Sequence, residues 1–507
     1  MYTFEWILGG LARPEYADEL AAFYSKHYGV WGDGSGRDGH PVKVTPAMVR
    51  ALLKSADSRI AVARFDDELV GYAIALQTKV PHYGMVSWVT QLVVHENHRR
   101  NNVGKTLLFT IWGFSNHRSW GLVSANPYAI RALEKATRRR CLPSRTKRNR
   151  ETLLRLGSKE IPYITESTEL RITNEESRIN TAFFLDHSSL PERLAAVVTK
   201  DKPWVLGDLP LGWEWFAFTF HDQQQIGLTQ AELDQMLQAS DEVTKHAYSR
   251  MLLNGDEHAW ARHAPAEIDF LLNKCLNSKP TSVVDFGCGR GRHALELASR
   301  GIDATGLDYI DAFVAAARQR AVERGLSHAS FEVADCRTAN LGKEFDAGIC
   351  LYDVIGSYAN QTENLRLLQN LAHHVRRGGF ILLSVMNMEF TERRAKHWFS
   401  VATEPDRLLN LPPSHKMETT GEVFDPEHYM IDRDTRIVYR KEQFEAGSSL
   451  PQELLVRDRR YTGDEIEVLC RKSGLDVVWC RFVKSGAWDQ SLPVEDAKEV
   501  LVLCRKP

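Results

Sequence analysis

The run VVDFGCGRGRHALELA, residues 283–298, constrains the fold more than any other part of the chain. An apolar strand ends at Asp285, glycines follow at 287, 289 and 291, and a helix begins at once. Glycine lets a backbone turn sharply and approach a ligand with no Cβ in the way. The segments that follow keep the same rhythm: IDATGLD, an alanine-rich helix over 311–325, HASFEVAD, FDAGICLYD, the helix NLRLLQNLAHHVRRG and FILLSVMN. Strict alternation of strand and helix predicts an α/β fold, here a doubly wound parallel sheet with helices on both faces. Ligands of such sheets sit beyond the carboxyl ends of the strands.

A glycine-rich turn alone would also suit a dinucleotide. The acids at successive strand ends narrow the choice, because Asp285, Asp308 and Asp335 close three consecutive strands and together surround one adenosine. This pattern resembles the class I S-adenosylmethionine-dependent methyltransferases over roughly residues 281–390, and implies a seven-stranded Rossmann-like domain. In that family the positions of Asp285, Gly287, Gly289 and Gly291 hold the methionine end and the ribose side of the donor. The acid matching Asp308 binds the ribose, and Asp335 with Cys336 lies at the adenine. Tyr352, Asp353 and Tyr358 are the catalytic candidates on the acceptor side, joined by Asn387; packing at a strand end is the alternative for each. Tyr248, Arg250 and Trp260 are candidate lid residues. No DPPY-like or NPPY-like run and no Pro-Cys nucleophile is present, which favours a small-molecule, protein or other acceptor over a DNA base.

A second strand-turn-helix signal stands near the other end of the chain. IAVARFDDELVGYAIALQ reads as a hairpin turning at Asp66-Asp67, and the apolar strand MVSWVTQLVV runs into HENHRRNN and the helical VGKTLLFTIWGFS. Successive amides at a helix N-terminus bind phosphate. The run LVVHENHRRNNVGKTLL resembles the acetyl-CoA-binding element of the GNAT acetyltransferases, which implies a mixed α/β domain and coenzyme A on Arg99, Asn102, Val103, Gly104 and Lys105. The resemblance also implies that Leu92, Val93 and Val94 meet the pantetheine through their backbones, and that Asn126 with Ala129 marks a second element. The family's thiolate-protonating tyrosine falls at Leu133 in this sequence. Glu96 is the candidate base, or else a solvated charge.

These readings divide the chain into a GNAT-like domain over 1–222, a helical linker and lid segment over 223–280, and a methyltransferase-like domain over 281–507. Strand-like TAFFL and WEWFAFTF and a helix at LPERLAAVV fill the stretch before the boundary. A length of 507 residues exceeds what one core supports. A formal charge of −2 excludes a globally basic nucleic-acid binder. The run RRRCLPSRTKRNR over 138–150 is local: either a phosphate-contacting arm for RNA or DNA, or a solvated connection. The eight cysteines have no zinc spacing, His95 and His98 lack a third ligand in sequence, and no metal is expected. Nothing reads as a signal or a membrane span, so a cytoplasmic location is expected. The expected activities are S-adenosylmethionine-dependent methyl transfer and acetyl-CoA-dependent N-acetyl transfer to a small-molecule or amine acceptor. The rival readings are a tRNA- or DNA-modifying enzyme, and a methyltransferase with a non-catalytic recognition module.

Overall fold

The computed structural model describes residues 2–54, 57–165, 167–251, 258–444 and 452–507. The chain splits into two compact units, Met1–His246 with Glu445–Leu454, and Ala247–Phe444 with Leu455–Pro507. No described helix is long and apolar enough to cross a membrane.

The first unit contains, in order, β1 (Tyr2–Leu8), α1 (Pro14–His27), α2 (Pro46–Leu53), β2 (Ser58–Phe65), β3 (Glu68–Val80), β4 (Gly84–Val94), α3 (Val103–Trp112), β5 (Ser119–Ser124), α4 (Pro127–Thr137), α5 (Pro143–Glu160), β6 (Leu170–Ile172), β7 (Ser177–Asn180), α6 (Leu190–Val197) and β8 (Trp213–Phe220). Helix α7 (Gln230–Met251) follows. The eight strands form one sheet in the order β1-β2-β3-β4-β5-β8-β7-β6. β4 and β5 are parallel, whereas the other neighbours run antiparallel.

Asp66 and Asp67 both take left-handed backbone angles, φ 50° and 68°, as a two-residue hairpin between right-twisted strands requires. Alternation along β3 then sends Tyr72 and Ile74 into a core with α1 and α2, while Gly71 lies against Val103 and Leu107 of α3. A bulge interrupts the β3–β4 ladder: Ile74 pairs with Gln91 and Ala75 with Val89, so Thr90 is left without a partner. β4 pairs with β5 only from Val86 to Val89, and beyond the bulge the two strands part.

Two expectations for this unit change. TAFFL is not a strand: β7 stops at Asn180, whose side-chain oxygen accepts the Ala182 N–H at 3.1 Å, and Ala182 turns to φ 52°. The basic run is neither a free arm nor a loose connection. Most of it folds into α5, with Cys141 and Arg139 buried. Arg139 donates to the carbonyls of Thr137 and His221, Arg140 pairs with Glu134 at 3.1 Å, and Arg145 pairs with Asp222. Lys147, Arg148 and Arg150 stay exposed. With Arg139, Arg140 and Arg145 spent on internal bonds and Arg138 on the wall of a cavity, the run gives no support to nucleic-acid binding.

The second unit opens with α8 (Ala264–Phe270) and continues through β9 (Ser282–Phe286), α9 (Arg292–Ser299), β10 (Asp303–Asp308), α10 (Asp311–Glu323), β11 (Ala329–Val333), β12 (Phe345–Cys350), α11 (Gln361–His374), β13 (Val375–Met386), α12 (Met388–Arg394), β14 (Trp398–Phe399), α13 (Arg407–Asn410), α14 (Lys416–Thr420), β15 (Tyr429–Asp432), β16 (Ile437–Phe444), β17 (Gln452–Arg459), α15 (Gly463–Lys472), β18 (Asp476–Val483) and β19 (Glu499–Arg505). Seven strands make a sheet in the order β11-β10-β9-β12-β13-β19-β18, with β19 antiparallel to both neighbours. The order reverses between β9 and β12, the place where open α/β sheets bind ligands. Thr462 and Glu465 form a capping box that starts α15. Between β13 and α15 a separate four-stranded sheet, β14-β15-β16-β17, is inserted. The sequence disclosed its last two strands but not the short first two.

Candidate active sites of the two units

In the second unit the glycine turn after β9 is built for close approach. Gly287, Gly289 and Gly291 all have left-handed φ, at 72°, 54° and 82°. A Cβ on Gly287 would stand 2.5 Å from Val354 Cγ2, and one on Gly291 would stand 2.7 Å from the Phe331 ring. Those two glycines are required by packing. A Cβ on Gly289 would meet nothing within 4 Å, so this glycine faces open space. Asp308 closes the turn from β10: one of its oxygens accepts the Gly289 N–H at 2.9 Å and the other the Ile310 N–H at 2.9 Å. Asp285 is buried, and its Oδ2 has no hydrogen-bond partner among the described residues. Burial pushes its carboxyl up to about 7. A buried acid with a free oxygen beside an open glycine fits an ammonium-bearing ligand, because a buried polar atom without a partner is costly.

Asp335 is held by the Arg337 guanidinium, which spans both carboxylate oxygens and also reaches Glu363 at 2.6 Å. Arg337 lies over the Tyr358 ring at 4.7 Å, and burial raises Tyr358 to about 12. Cys336 is buried beside β10. Asn387 is fully buried; it caps α12 and donates to the carbonyls of Val494 and Ala497. All of its capacity is structural, which removes it from the acceptor side.

The tyrosine at 352 is placed by residues that the sequence did not single out. Its hydroxyl donates to Glu267 Oε1 at 2.5 Å and lies 2.8 Å from Ser485 Oγ. Glu267, 1% exposed, also meets His293 Nε2 at 2.7 Å and accepts the Gly486 N–H. The Arg292 guanidinium sits 4.0 Å above the Tyr352 ring. Asp353 is half-buried next to Tyr248 and Tyr309, and burial raises its carboxyl. Glu499, at the start of β19, is pushed by burial up to about 8. On the inserted sheet Arg440 pairs with Glu442 and Asp458, and Arg460 with Asp458, all four buried. The side chains of Arg250 and Trp260 lie outside the described residues.

In the first unit a cavity of about 800 Å³ opens where β4 and β5 part. Its walls include Val89–Val94, the turn and first residues of α3, and Leu122–Asn126. The turn uses Arg100 and Asn102 in left-handed conformation, φ 67° and 61°, and Asn102 is the N-cap of α3. A Cβ on Gly104 would find its nearest neighbours at 3.9 Å. Arg99 is exposed and lines the cavity, and its guanidinium also donates to the carbonyls of Val94 and His27 at 3.0 and 2.6 Å, which fixes the strand exit. Lys105 is 3% exposed, its Nζ has no hydrogen-bond partner among the described residues, and burial lowers its pKa. Arg131, Lys135, Arg138 and Arg193 line the same cavity; Arg131 pairs with Glu134 and Lys135 with Glu232, but lysines and arginines outnumber the acids on its wall, so its field is positive. Val103, also a wall residue, is buried under α3.

Asn126 caps α4 by accepting the Tyr128 N–H at 3.0 Å. Leu133 is fully buried, whereas Tyr128 lines the cavity under Arg100, whose guanidinium lies 5.6 Å from the ring. Glu96 accepts a hydrogen bond from its own backbone amide and pairs with His27 Nδ1 at 2.6 Å, which together hold it down at about 2. A carboxylate so acidic is a poor base. His27, His95 and Glu96 bring potential ligand atoms within 4.8 Å of one another. The third partner, His27, comes from α1, 68 residues before His95, and no sequence spacing announces it.

Comparison with known proteins agrees with both halves. Residues 26–137 match the acetyltransferase (GNAT) family model, and residues 283–379 match a methyltransferase domain model. The dTDP-3-amino-3,6-dideoxy-alpha-D-glucopyranose N,N-dimethyltransferase of Streptomyces fradiae is 32% identical over 105 residues, 21% of this chain and 39% of that protein. The ubiquinone biosynthesis O-methyltransferase of Rickettsia prowazekii (strain Madrid E) is 26% identical over 36% of this chain and 71% of its own length. The chain thus spans about two fifths of the first relative and about seven tenths of the second. Among solved structures, the CcbJ methyltransferase from Streptomyces caelestis aligns over 48% of this chain and 89% of its own, with 13% identity and a TM-score of 0.37. The chain therefore carries a domain of the GNAT acetyltransferase family and, after it, a methyltransferase domain.

Proposed function

We propose that the chain is a bifunctional transferase: S-adenosylmethionine-dependent methyl transfer in the second unit and acetyl-CoA-dependent N-acetyl transfer in the first, each to a small-molecule amine or related acceptor. The observation that carries the methyl half is the free, buried Asp285 oxygen beside an open Gly289. Asp285 would take the donor's ammonium, and Asp308, already anchored to the turn, would take ribose hydroxyls through its remaining lone pairs. The donor, once bound, supplies an activated methyl group on a sulfonium. The protein has then to align the acceptor and remove its proton. Asp353 suits that task better than Tyr352, whose hydroxyl is already held by Glu267 and Ser485. Relatives named for methylation of an amino-sugar nitrogen and for ubiquinone O-methylation support a small acceptor.

For the first unit the support is the basic cavity at the parted strands, with the α3 amides and the unpartnered Lys105 ammonium directed to an anion. Coenzyme A fits, its diphosphate at the α3 N-terminus and its pantetheine along Leu92–Val94; it presents the acetyl group as a thioester. Tyr128, in the cavity wall, carries a hydroxyl that would protonate the departing thiolate in place of residue 133. Calorimetric titration of the purified chain with each ligand tests the pair. Saturable binding of both S-adenosylmethionine and acetyl-CoA is expected; failure of either removes that half. A mass-spectrometric search of small-molecule extract for added methyl and acetyl groups then identifies the acceptor.

A further inference from the structure

On β8 the side chains of Phe216, Phe218 and Phe220 share one core with Trp88 and with Leu153 and Leu156 of α5. Strand alternation puts Glu214 on that same face, at the end where the phenylalanines stop. Glu214 is 5% exposed. Its carboxylate accepts the Thr181 hydroxyl at 2.9 Å and a backbone hydrogen bond from Ala125, a wall residue of the cavity. No cationic side chain pairs with it among the described residues. Around it stand tyrosines from three separate elements. Tyr24 of α1 and Tyr28 just past its end stack at 4.3 Å, and both feel the Glu214 charge. Tyr163, just beyond α5, feels it too, and the residue is 39% exposed, so the aromatic cluster reaches the surface there. Tyr72 donates to Gln91 Oε1 at 2.8 Å, next to the β4 bulge.

A carboxylate taken out of water without a counter-ion is costly. Set among aromatic rings, bonded to the Ala125 backbone of the cavity wall and with Tyr163 at the surface, it suits an organic cation. We propose that Glu214 binds the ammonium of the acceptor for acetyl transfer, with Tyr28 and Tyr163 against its organic body, and serves as the base that activates it. The proposal rests on the acetyl-transfer reading of the first unit. Two protons leave the ammonium in the reaction. Glu214 takes the first and passes it to solvent, the freed amine attacks the thioester carbonyl, and the N–C bond forms as the C–S bond breaks. The second proton ends on the departing thiolate. Burial pushes Glu214 up to about 7, so it is poised to accept a proton at neutral pH. The groups facing it are Tyr24, Tyr28, Tyr163 and Thr181, none of which changes charge near that pH.

The test is equilibrium binding of benzylammonium to the full chain, followed by NMR, with benzyl alcohol as the uncharged probe of the same shape. The wild type should prefer benzylammonium by at least tenfold at pH 8 and lose the preference as pH falls below 6, where Glu214 is protonated. Glu214→Gln should abolish the preference while its unfolding midpoint does not fall and its acetyl-CoA affinity stays at the wild-type value. Thr181→Val, which leaves the carboxylate in place, should keep the preference. An unchanged preference in folded Glu214→Gln, or none in the wild type, overturns the proposal. The acetyl-transfer reading fails separately, by absence of acetyl-CoA binding to the wild type.

Discussion

The turn after β9 and the turn after β4 each carry an apolar strand into a helix, and each needs left-handed residues to do so. After β9 the positions are Gly287, Gly289 and Gly291; after β4 they are Arg100 and Asn102. The surroundings differ in sign. The first turn is flanked by Asp285 and Asp308, with the half-buried Asp353 and the buried Glu499 among the unit's other acids. The second opens on Lys105, Arg131, Lys135, Arg138 and Arg193. The same backbone device is therefore set in surroundings of opposite sign, acidic in the second unit and basic in the first, as the two proposed ligands require. Glycine is needed where neighbours crowd the Cβ, as Val354 crowds Gly287, and is dispensable where they stand at van der Waals distance, as around Gly104.

The largest effect should come from breaking the crowded turn. Gly287→Val places branched carbon against Val354 in a left-handed conformation that costs about 1–2 kcal/mol by itself, and overpacking adds about 1–3 kcal/mol. Chemical denaturation should show the second unit losing most of its stability. Next comes Asp308→Ala, which strips the Gly289 and Ile310 amides of their acceptor and removes charge-assisted bonds worth roughly 1.5–3 kcal/mol each. Calorimetry should find no S-adenosylmethionine binding in the folded variant; unchanged affinity would remove this acid from the site.

A smaller and two-sided effect is expected at Lys105. Replacing its unpartnered ammonium by methionine relieves a buried charge, so Lys105→Met should raise the unfolding midpoint of the first unit. It should also weaken acetyl-CoA by about tenfold, or ~1.4 kcal/mol. Stability and affinity moving together would contradict the assignment. The smallest effect is a pH dependence. Asp285, Glu442 and Glu499 are held near 7, 7 and 8 in the folded second unit. Folded values above the unfolded ones mean that the native state binds more protons, so their contribution is complete below about pH 4 and falls away as pH rises through 7 and 8. His293, which burial holds below its ordinary 6.5, works in the opposite direction at lower pH. The unfolding midpoint of the ligand-free second unit should therefore drop between pH 6.5 and 8.5, and S-adenosylmethionine should reduce the slope. A rise across that window would show that these acids are not held protonated.

Much of the architecture could be read from local pattern. The hairpin at Asp66-Asp67 and the seven-stranded sheet follow from dipeptide conformation and strict alternation, both of which act within a few residues. TAFFL failed because an asparagine side chain competed for the backbone one residue earlier, and α5 was hidden by its charge, since only part of its surface packs. In the sites, the residue types were legible but their bonding was not. The amide of Asn387 is consumed by backbone carbonyls, and Arg99 ties two of them at the strand exit while it lines the cavity. Glu267, His27 and Glu214 could not have been found, because each meets its partners through contacts 85, 69 or 33 residues away in sequence. Such positions carry no periodic or motif signal.

The central claim is that two independent turns of opposite charge preference serve two ligands, and one variant tests it most directly. Gly104→Glu introduces bulk and negative charge into the basic cavity without meeting a close neighbour. Isothermal titration of the variant with both ligands should show acetyl-CoA binding eliminated and S-adenosylmethionine binding unchanged from the wild type. Acetyl-CoA binding that survives the substitution, or loss of both ligands together in a folded protein, would contradict the account.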